Sequence, residues 1–275
     1  MQKFMEFAKK NKQFMFFAVL AILIVLVAVA APILAPYDPY DSVLKDALQG
    51  PSKEHLFGTD KLGRDILSRV IYGTRISLSS TLILVCCIFV LGTVLGILAG
   101  YFGGWVDVII MRISDMMISF PGMVIAIAIA GILGPSITNA VIAVTVVSWT
   151  KYARLARSLV LKIRHKDYVY AAVVTGSKTL YILRKYMLPN TLPTLVITAA
   201  TDIGSMMLEL AGLSFLGFGA QAPAAEWGLM LNEGRAYMQY SPWMMICPGL
   251  AIFIVVVVFN LLGDSLRDVL DVRDE

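Results

Sequence analysis

Two carboxylates, Asp202 and Glu209, stand seven residues apart in an otherwise apolar run. On a helix that interval returns to nearly the same face, so the pair would line one stripe. Carboxylates are costly in hydrocarbon and face a bundle interior or a wet cavity, which makes both candidates for a solute path. Asp202 is equally consistent with a structural place at the inner interface, whereas Glu209 is deeper and reads better as part of a pathway or of a contact between subunits. Met206 lies between them and Met207 beside it. Their sulfur suits soft ions such as copper, but adjacent helix residues cannot share a face, so packing is the simpler role. The remaining reactive groups are scattered. His55 and His165 are the only histidines, Cys86 and Cys87 are adjacent, and Cys247 is remote, so neither a spaced metal set nor a disulfide framework forms. No serine or cysteine has an evident base, which argues against a membrane enzyme. Gly176-Ser177-Lys178-Thr179 approaches a phosphate loop but lacks the glycine directly before the lysine and the one five residues ahead of it. Catalytic residues, a resident cofactor and a metal site are therefore not expected.

The elements that must carry these residues are membrane helices. Of 275 residues, 58% are hydrophobic and only 15% charged. A helix needs roughly 20 apolar residues to cross the hydrocarbon core, where backbone groups must bond internally. Such runs occur at 14–35, 76–106, 191–218 and 241–263, and a longer one at 116–150 is broken at Gly134-Pro135-Ser136. The expectation is an all-α, polytopic membrane bundle of six transmembrane helices, the third beginning near Asp107. Gly92, Gly96 and Gly100 form a ridge suited to close helix contact, Gly204 and Gly212 mark another face, and Asn260 would bond across to a neighbouring helix. Arg112 and Asp115, three apart, would pair along one helix.

Charge fixes the orientation. Between residues 151 and 189 nine residues are Lys or Arg, against one acid, Asp167, and Lys3, Lys9, Lys10 and Lys12 precede the first apolar run. Basic flanks mark the cytoplasmic side, so both termini and 151–190 are expected inside, with 36–75, 134–137 and 219–242 outside. The first outer segment, with Lys45, Lys53, Lys61, Arg64, Arg69 and Arg75, opposes this weakly, being long enough for its charges to count less. The net charge of +4 reflects these flanks and does not call for a nucleic acid partner. The first apolar run resembles a secretory signal ending near Ala28-Val29-Ala30, but it exceeds the usual signal core, so an uncleaved anchor is expected. Within the inner segment, apolar residues at Leu155, Leu159 and Ile163, then Leu180, Leu183 and Met187, imply two helices flanking Gly176, with Leu188-Pro189 ending the second. A rigid elbow projecting into the cytoplasm and a plain basic loop are both open on spacing alone. In the last outer segment Glu226, Trp227, Arg235, Tyr237 and Tyr240 fit either an interfacial aromatic belt or a surface that receives a soluble protein.

The order Ala171-Ala172, three residues, Gly176, nine residues, Tyr186-Met187-Leu188-Pro189 resembles the Glu-Ala-Ala loop of binding-protein-dependent ABC importer permeases. Tyr170 stands where that family has an acid, and Tyr186 where it has isoleucine. A second resemblance, to the second permease of peptide and nickel importers, runs through Phe57-Gly58-Thr59-Asp60, Gly63-Arg64-Asp65, Tyr72-Gly73-Thr74-Arg75, Gly103-Gly104-Trp105, Phe120-Pro121, Leu213 to Gly219 and Gly263-Asp264-Ser265. It implies an anchor helix and outer loop at 1–75 and a five-helix ABC importer transmembrane domain at 76–275. It also implies an ATPase-coupling loop containing Tyr170, Ala171, Ala172, Gly176, Ser177, Lys178, Leu188 and Pro189, a translocation pathway past Asp202, Met206 and Glu209, and binding-protein docking at Glu226, Trp227 and Arg235. The implied partners are two ABC ATPase subunits holding ATP and Mg, a second homologous permease, an extracytoplasmic binding protein and membrane lipid, in a bacterial cytoplasmic membrane. The blocks Asp202 to Leu208 and Ala225-Glu226-Trp227-Gly228 look more like nickel permeases than dipeptide ones, which favours nickel or a chelated metal over a dipeptide or oligopeptide. An ion-coupled secondary transporter using Asp202 and Glu209 is the reading of another class.

Overall fold

The computed structural model describes residues 11–271, all of whose regular elements are helical. Lys3, Lys9, Lys10 and the last four residues lie outside the described residues. The long helices are α1 (Lys12–Leu34), α2 (Ile66–Phe102), α5 (Ile137–Ile163), α7 (Thr179–Phe215) and α9 (Trp243–Asp271). Shorter ones are α3 (Gly104–Ile118), α4 (Gly122–Leu133), α6 (Asp167–Val174) and α8 (Trp227–Gly234). The termini of α2 and α7 meet residues 36–65 and 219–242 at the end termed outer here, following the charge rule.

Among the described residues four helices, α1, α2, α7 and α9, are by themselves long and apolar enough to cross a membrane, and α3 with α4 makes a fifth if the two are one span. The third expected span is thus not straight. It turns by 92° at Ser119-Phe120-Pro121, where proline cannot donate to the preceding turn. The fourth, α5, is long enough but carries Lys151, Arg154, Arg157 and Lys162 along its inner half. Helix α2 begins at Ile66, ten residues before the uncharged run, because Asp65 caps it by accepting the Ser68 amide at 2.8 Å and because Arg69 is paired within the protein.

The α2–α5 pair is the spine of the bundle, and its closeness depends on the glycine ridge. A β-carbon on Gly92, Gly96 or Gly100 would stand 2.5, 2.3 or 2.8 Å from α5 atoms of Trp149, Ala153 and Val160. Gly204 likewise admits Asn260, whose Oδ1 would lie 2.3 Å from an added β-carbon. That contact is steric: Asn260 Oδ1 has no hydrogen-bond partner, so the expected cross-helix bond through this oxygen is not formed. Arg112 does not hold Asp115 either. Arg154 of α5 takes it at 2.6 Å and also donates to Ser114, while Arg157 holds Asp107, so α3 is strapped across the inner end of α5. The opposite face of α3, with Trp105, Ile109 and Met116, is exposed in the single chain.

Candidate functional site

The inner elbow is built from a short helix, a glycine turn and the start of α7. Val169 and Ala172 of α6 and Ile182 and Met187 of α7 are buried in the main core cluster, which roots the elbow on the bundle. Between them Gly176 adopts φ +78°, with nothing within 4 Å of an added β-carbon, and the Ser177 amide donates to Ala172 O at 3.0 Å. This left-handed residue with its backward bond closes α6 as glycine does at helix ends. The outward surface combines exposed Tyr168, Tyr170, Val173 and Val174 with Lys178, Arg184 and Lys185, which line an open groove with Leu180 and Tyr181. Tyr170, in the position of the acid, has its hydroxyl 2.7 Å from His165 Nδ1. Lys178 is extended and precedes the first turn of α7, so it cradles no phosphate loop.

Leu188 and Pro189 do not end a helix, contrary to expectation. The chain passes from Thr179 to Phe215 as one helix, with a π-helical turn at Leu183–Met187 immediately ahead of Pro189. A wide turn of this kind accommodates the proline, which lacks the N–H that a regular turn requires. Leu155, Leu159 and Ile163 likewise belong to the end of α5 and not to a separate elbow helix. The elbow is therefore continuous with α7, the helix that carries the acidic stripe.

That stripe lies in the outer half of α7. Asp202 is about 20 Å from Leu188 at the helical rise, and Glu209 about 10 Å further out. Asp202 is buried and accepts from Lys151 Nζ at 2.6 Å and from Tyr152 OH at 2.9 Å. This is an integral ion pair in the middle of two packed helices, not an interfacial carboxylate. Met206 is buried in the same cluster, and Glu209 is half-buried with no hydrogen-bond or ion-pair partner among the described residues.

The outer layer departs most from the sequence reading. Glu226 and Trp227 do not form a surface: they are 2% and 1% exposed. Glu226 caps α8, accepting the Gly228 and Leu229 amides at 2.9 and 2.8 Å, and burial pushes its carboxyl up from the usual range although these bonds oppose the shift. Trp227 lies against Gly73 and donates from Nε1 to Val70 O at 3.0 Å. Only Arg235 of the three is exposed, its guanidinium 6.0 Å from the Phe215 ring centre. A buried ionic cluster that the sequence reading missed joins the two outer segments. Arg64 takes Asp60 at 2.6 Å and Glu233 at 3.0 Å, and Arg69 takes Glu233 at 3.3 Å and the carbonyls of Pro39 and Ala224 at 3.1 and 3.2 Å. The signal was available in the Asp60/Arg64 spacing of four, but Glu233 is far away in sequence.

An exposed elbow rooted on a bundle of membrane-length helices, with a charged pair between two of them, fits a polytopic membrane transport subunit. The chain belongs to the family of binding-protein-dependent transport system inner membrane components, whose pattern it matches over residues 92–273, and residues 1–51 match the N-terminal transmembrane domain of oligopeptide transport permease C. It is 43% identical over 263 residues to the dipeptide transport system permease protein DppC of Alkalihalophilus pseudofirmus, covering 96% of this chain and 86% of that one. Over 236 residues it is 44% identical to the nickel transport system permease protein NikC of Escherichia coli, covering 86% and 85%. The glutathione transport system permease protein GsiD of Pectobacterium atrosepticum is 46% identical over 239 residues, covering 86% and 79%. In fold it resembles a chain of the inward-facing MetNI methionine ABC transporter, with a TM-score of 0.60 at 21% identity over 74% of this chain and 97% of that one. It is thus a permease of the peptide and nickel importer family.

Proposed function

We propose that this permease forms half of the translocation pathway of an ATP-driven importer and takes its energy from separate ATPase subunits. The observation that carries this reading is the elbow around Gly176, whose exposed apolar and cationic surface is rooted on the end of α7. Two ATPase subunits, holding ATP and Mg, close and press on Tyr170, Ala171, Ala172, Ser177 and Lys178. The continuous helix through Leu188 and Pro189 transmits the displacement to Asp202, Met206 and Glu209. A second, homologous permease supplies the other wall, and an extracytoplasmic binding protein delivers cargo to the outer layer, where Arg235 is the exposed candidate contact. Residues 1–75 act as anchor and outer loop and 76–275 as the five-helix transport domain, with both termini in the cytoplasm of a bacterial cell.

Nickel, free or chelated, is the first cargo reading, supported by the sequence blocks around Asp202 and Glu226 and by the nickel permease relative. A dipeptide or oligopeptide is the second, supported by the dipeptide permease relative spanning 96% of the chain and by the oligopeptide permease match at 1–51. The test is reconstitution in sealed vesicles with the candidate ATPases and binding protein, measuring uptake of radioactive nickel against a labelled dipeptide. Uptake should require ATP and every subunit. Accumulation driven by a proton or sodium gradient with the ATPases omitted would refute the reading.

A further inference from the structure

The basic residues at the inner end of the molecule fall into two sets that differ in what they hold. At the end of α5 they are satisfied within the chain: Arg154 takes Asp115, Arg157 takes Asp107, and Arg164 donates from Nη1 to Gly100 O, one of the last carbonyls of α2, at 3.0 Å. Beyond them Lys166, Lys178, Arg184 and Lys185 are all exposed, and none makes an ion pair among the described residues. Asp167 is the one acid beside them. Ammonium and guanidinium groups donate and do not accept, so a surface made of them is complementary to acceptors.

Tyr170 adds to that surface a donor of fixed direction. Arg164 also donates from Nε to His165 Nε2 at 3.0 Å, so that nitrogen carries no proton and the ring proton sits on Nδ1. Nδ1 stands 2.7 Å from the Tyr170 hydroxyl, which accepts from the imidazole and keeps its own proton for another acceptor. The described residues supply none, and Tyr170 is exposed on the outward face of α6. A glutamate in its place would show the opposite polarity, since an ionised carboxylate only accepts. The chain of bonds from Gly100 through Arg164 and His165 to Tyr170 thus runs from the inner end of α2 to the docking face. A donor held by successive hydrogen bonds suits an acceptor of fixed position, as a folded groove provides and fluid lipid headgroups do not. Resting on the importer reading, we infer that the elbow docks in an acidic groove of the ATPase subunit, where the Tyr170 hydroxyl donates to a carboxylate or carbonyl, and that His165, oriented by Arg164, is the positioning residue that aims it.

The test measures ATP hydrolysis stimulated by the binding protein in the complete complex in vesicles. Tyr170→Phe, which keeps the ring, should lower it at least fivefold without moving the melting temperature of the permease. Tyr170→Glu should be worse, because its carboxylate meets acceptors; a rate at or above the parent's would reveal a basic groove and overturn the inference. His165→Leu should match Tyr170→Phe and add less than twofold to it in the double variant. His165→Gln, whose amide accepts from Arg164 and donates to Tyr170, should keep at least half of the parent rate. Losses that simply multiply in the double variant would overturn the part given to His165. The charge complement is read apart from activity, as the affinity of the ATPase subunit for the permease in nanodiscs of neutral phosphatidylcholine. Lys178→Glu together with Lys185→Glu should weaken it at least tenfold, and raising salt from about 0.05 to about 0.5 M should weaken the parent in the same direction. Affinity unchanged by both, with the substitutions abolishing instead a rise in melting temperature produced by anionic phosphatidylglycerol, would assign the cations to headgroups and overturn the inference. In each of these failures the parent still hydrolyses ATP only as the assembled complex, which separates them from failure of the importer reading. A parent that neither binds the ATPases nor depends on them refutes both.

Discussion

Replacing Glu233 with glutamine should loosen the outer layer selectively. In the intact chain Glu233 accepts Arg64 at 3.0 Å and Arg69 at 3.3 Å, with Lys61 at 3.7 Å. The two arginine side chains are each 1% exposed, so water cannot take over from a lost carboxylate. The change leaves Asp60 alone against two buried guanidiniums, and removing one partner of a buried pair costs about 3–5 kcal/mol. The carbonyls of Pro39, Pro223 and Ala224 still accept from Arg69, which places the effect at the low end, about 3 kcal/mol. At about 1.4 kcal/mol per tenfold, the opened state of this layer becomes roughly a hundredfold more populated. The sensitive readout is amide exchange across 48–66, where Leu48 N bonds Asp60 O, Asp60 N bonds Arg64 O and Ile66 N bonds Gly58 O at 2.9–3.1 Å. Protection there should fall about a hundredfold while the amides of α5, remote from the cluster, keep theirs. The companion variant Arg235→Gln, on the exposed rim of the same layer, should leave both unchanged. If Glu233→Gln retains protection across 48–66 within about twofold, the cluster does not hold the outer segments together and the reasoning fails.

Three further outcomes follow from the same geometry. Gly96→Val should lower the melting temperature of the detergent-solubilised protein sharply and reduce its yield, because its β-carbon would lie 2.3 Å from Ala153 O and overpacking of this kind costs about 1–3 kcal/mol or more. Gly176→Val, at φ +78° in open space, should cost about 1–2 kcal/mol locally and depress binding-protein-stimulated ATP hydrolysis without a comparable fall in melting temperature, with Gly176→Asn milder. Glu226 has a folded pKa raised above its unfolded value by burial, so its stabilising contribution is complete below the unfolded value and is lost as pH rises through the raised one. Thermal unfolding measured across pH should therefore show a decline over that window that Glu226→Gln abolishes, and identical pH profiles for the two proteins would contradict it.

What the sequence made legible was what depends on local pattern. The apolar runs announced most of the helices, and the spacing of Gly92, Gly96 and Gly100 announced the face by which α2 meets α5. Gly176 announced a left-handed turn because no other residue adopts that torsion at so little cost. Pro189 was misread because its effect depends on what precedes it: a π-helical turn absorbs the missing donor, and the helix goes on. Glu226 and Trp227 were misread for a different reason. Polarity and aromaticity in a segment between spans suggest a surface, but whether a segment folds back onto the bundle depends on a partner such as Gly73, some 150 residues away, that leaves room for the indole.

Charge shows the limit most clearly, because one residue type serves opposite ends in this chain. Arg64 and Arg69 counted in the sequence as topological signals that opposed the orientation, yet both are buried against Asp60 and Glu233 and are neutralised there. Arginines satisfied inside the fold present no free charge to the membrane surface, so the objection they raised to placing 36–75 outside loses most of its force. Lys151 counted as the first residue of an inner cationic segment, yet it bonds Asp202 midway along α5 with its other side uncovered. The discriminating quantity is therefore neither sign nor position in the run but the balance of exposure within each pair. Where both partners are buried, the charges hold two segments together. Where one is buried and the other is open, as with Asp202 and Lys151, the carboxylate is satisfied inside the fold while the ammonium keeps donors free at the surface of the single chain.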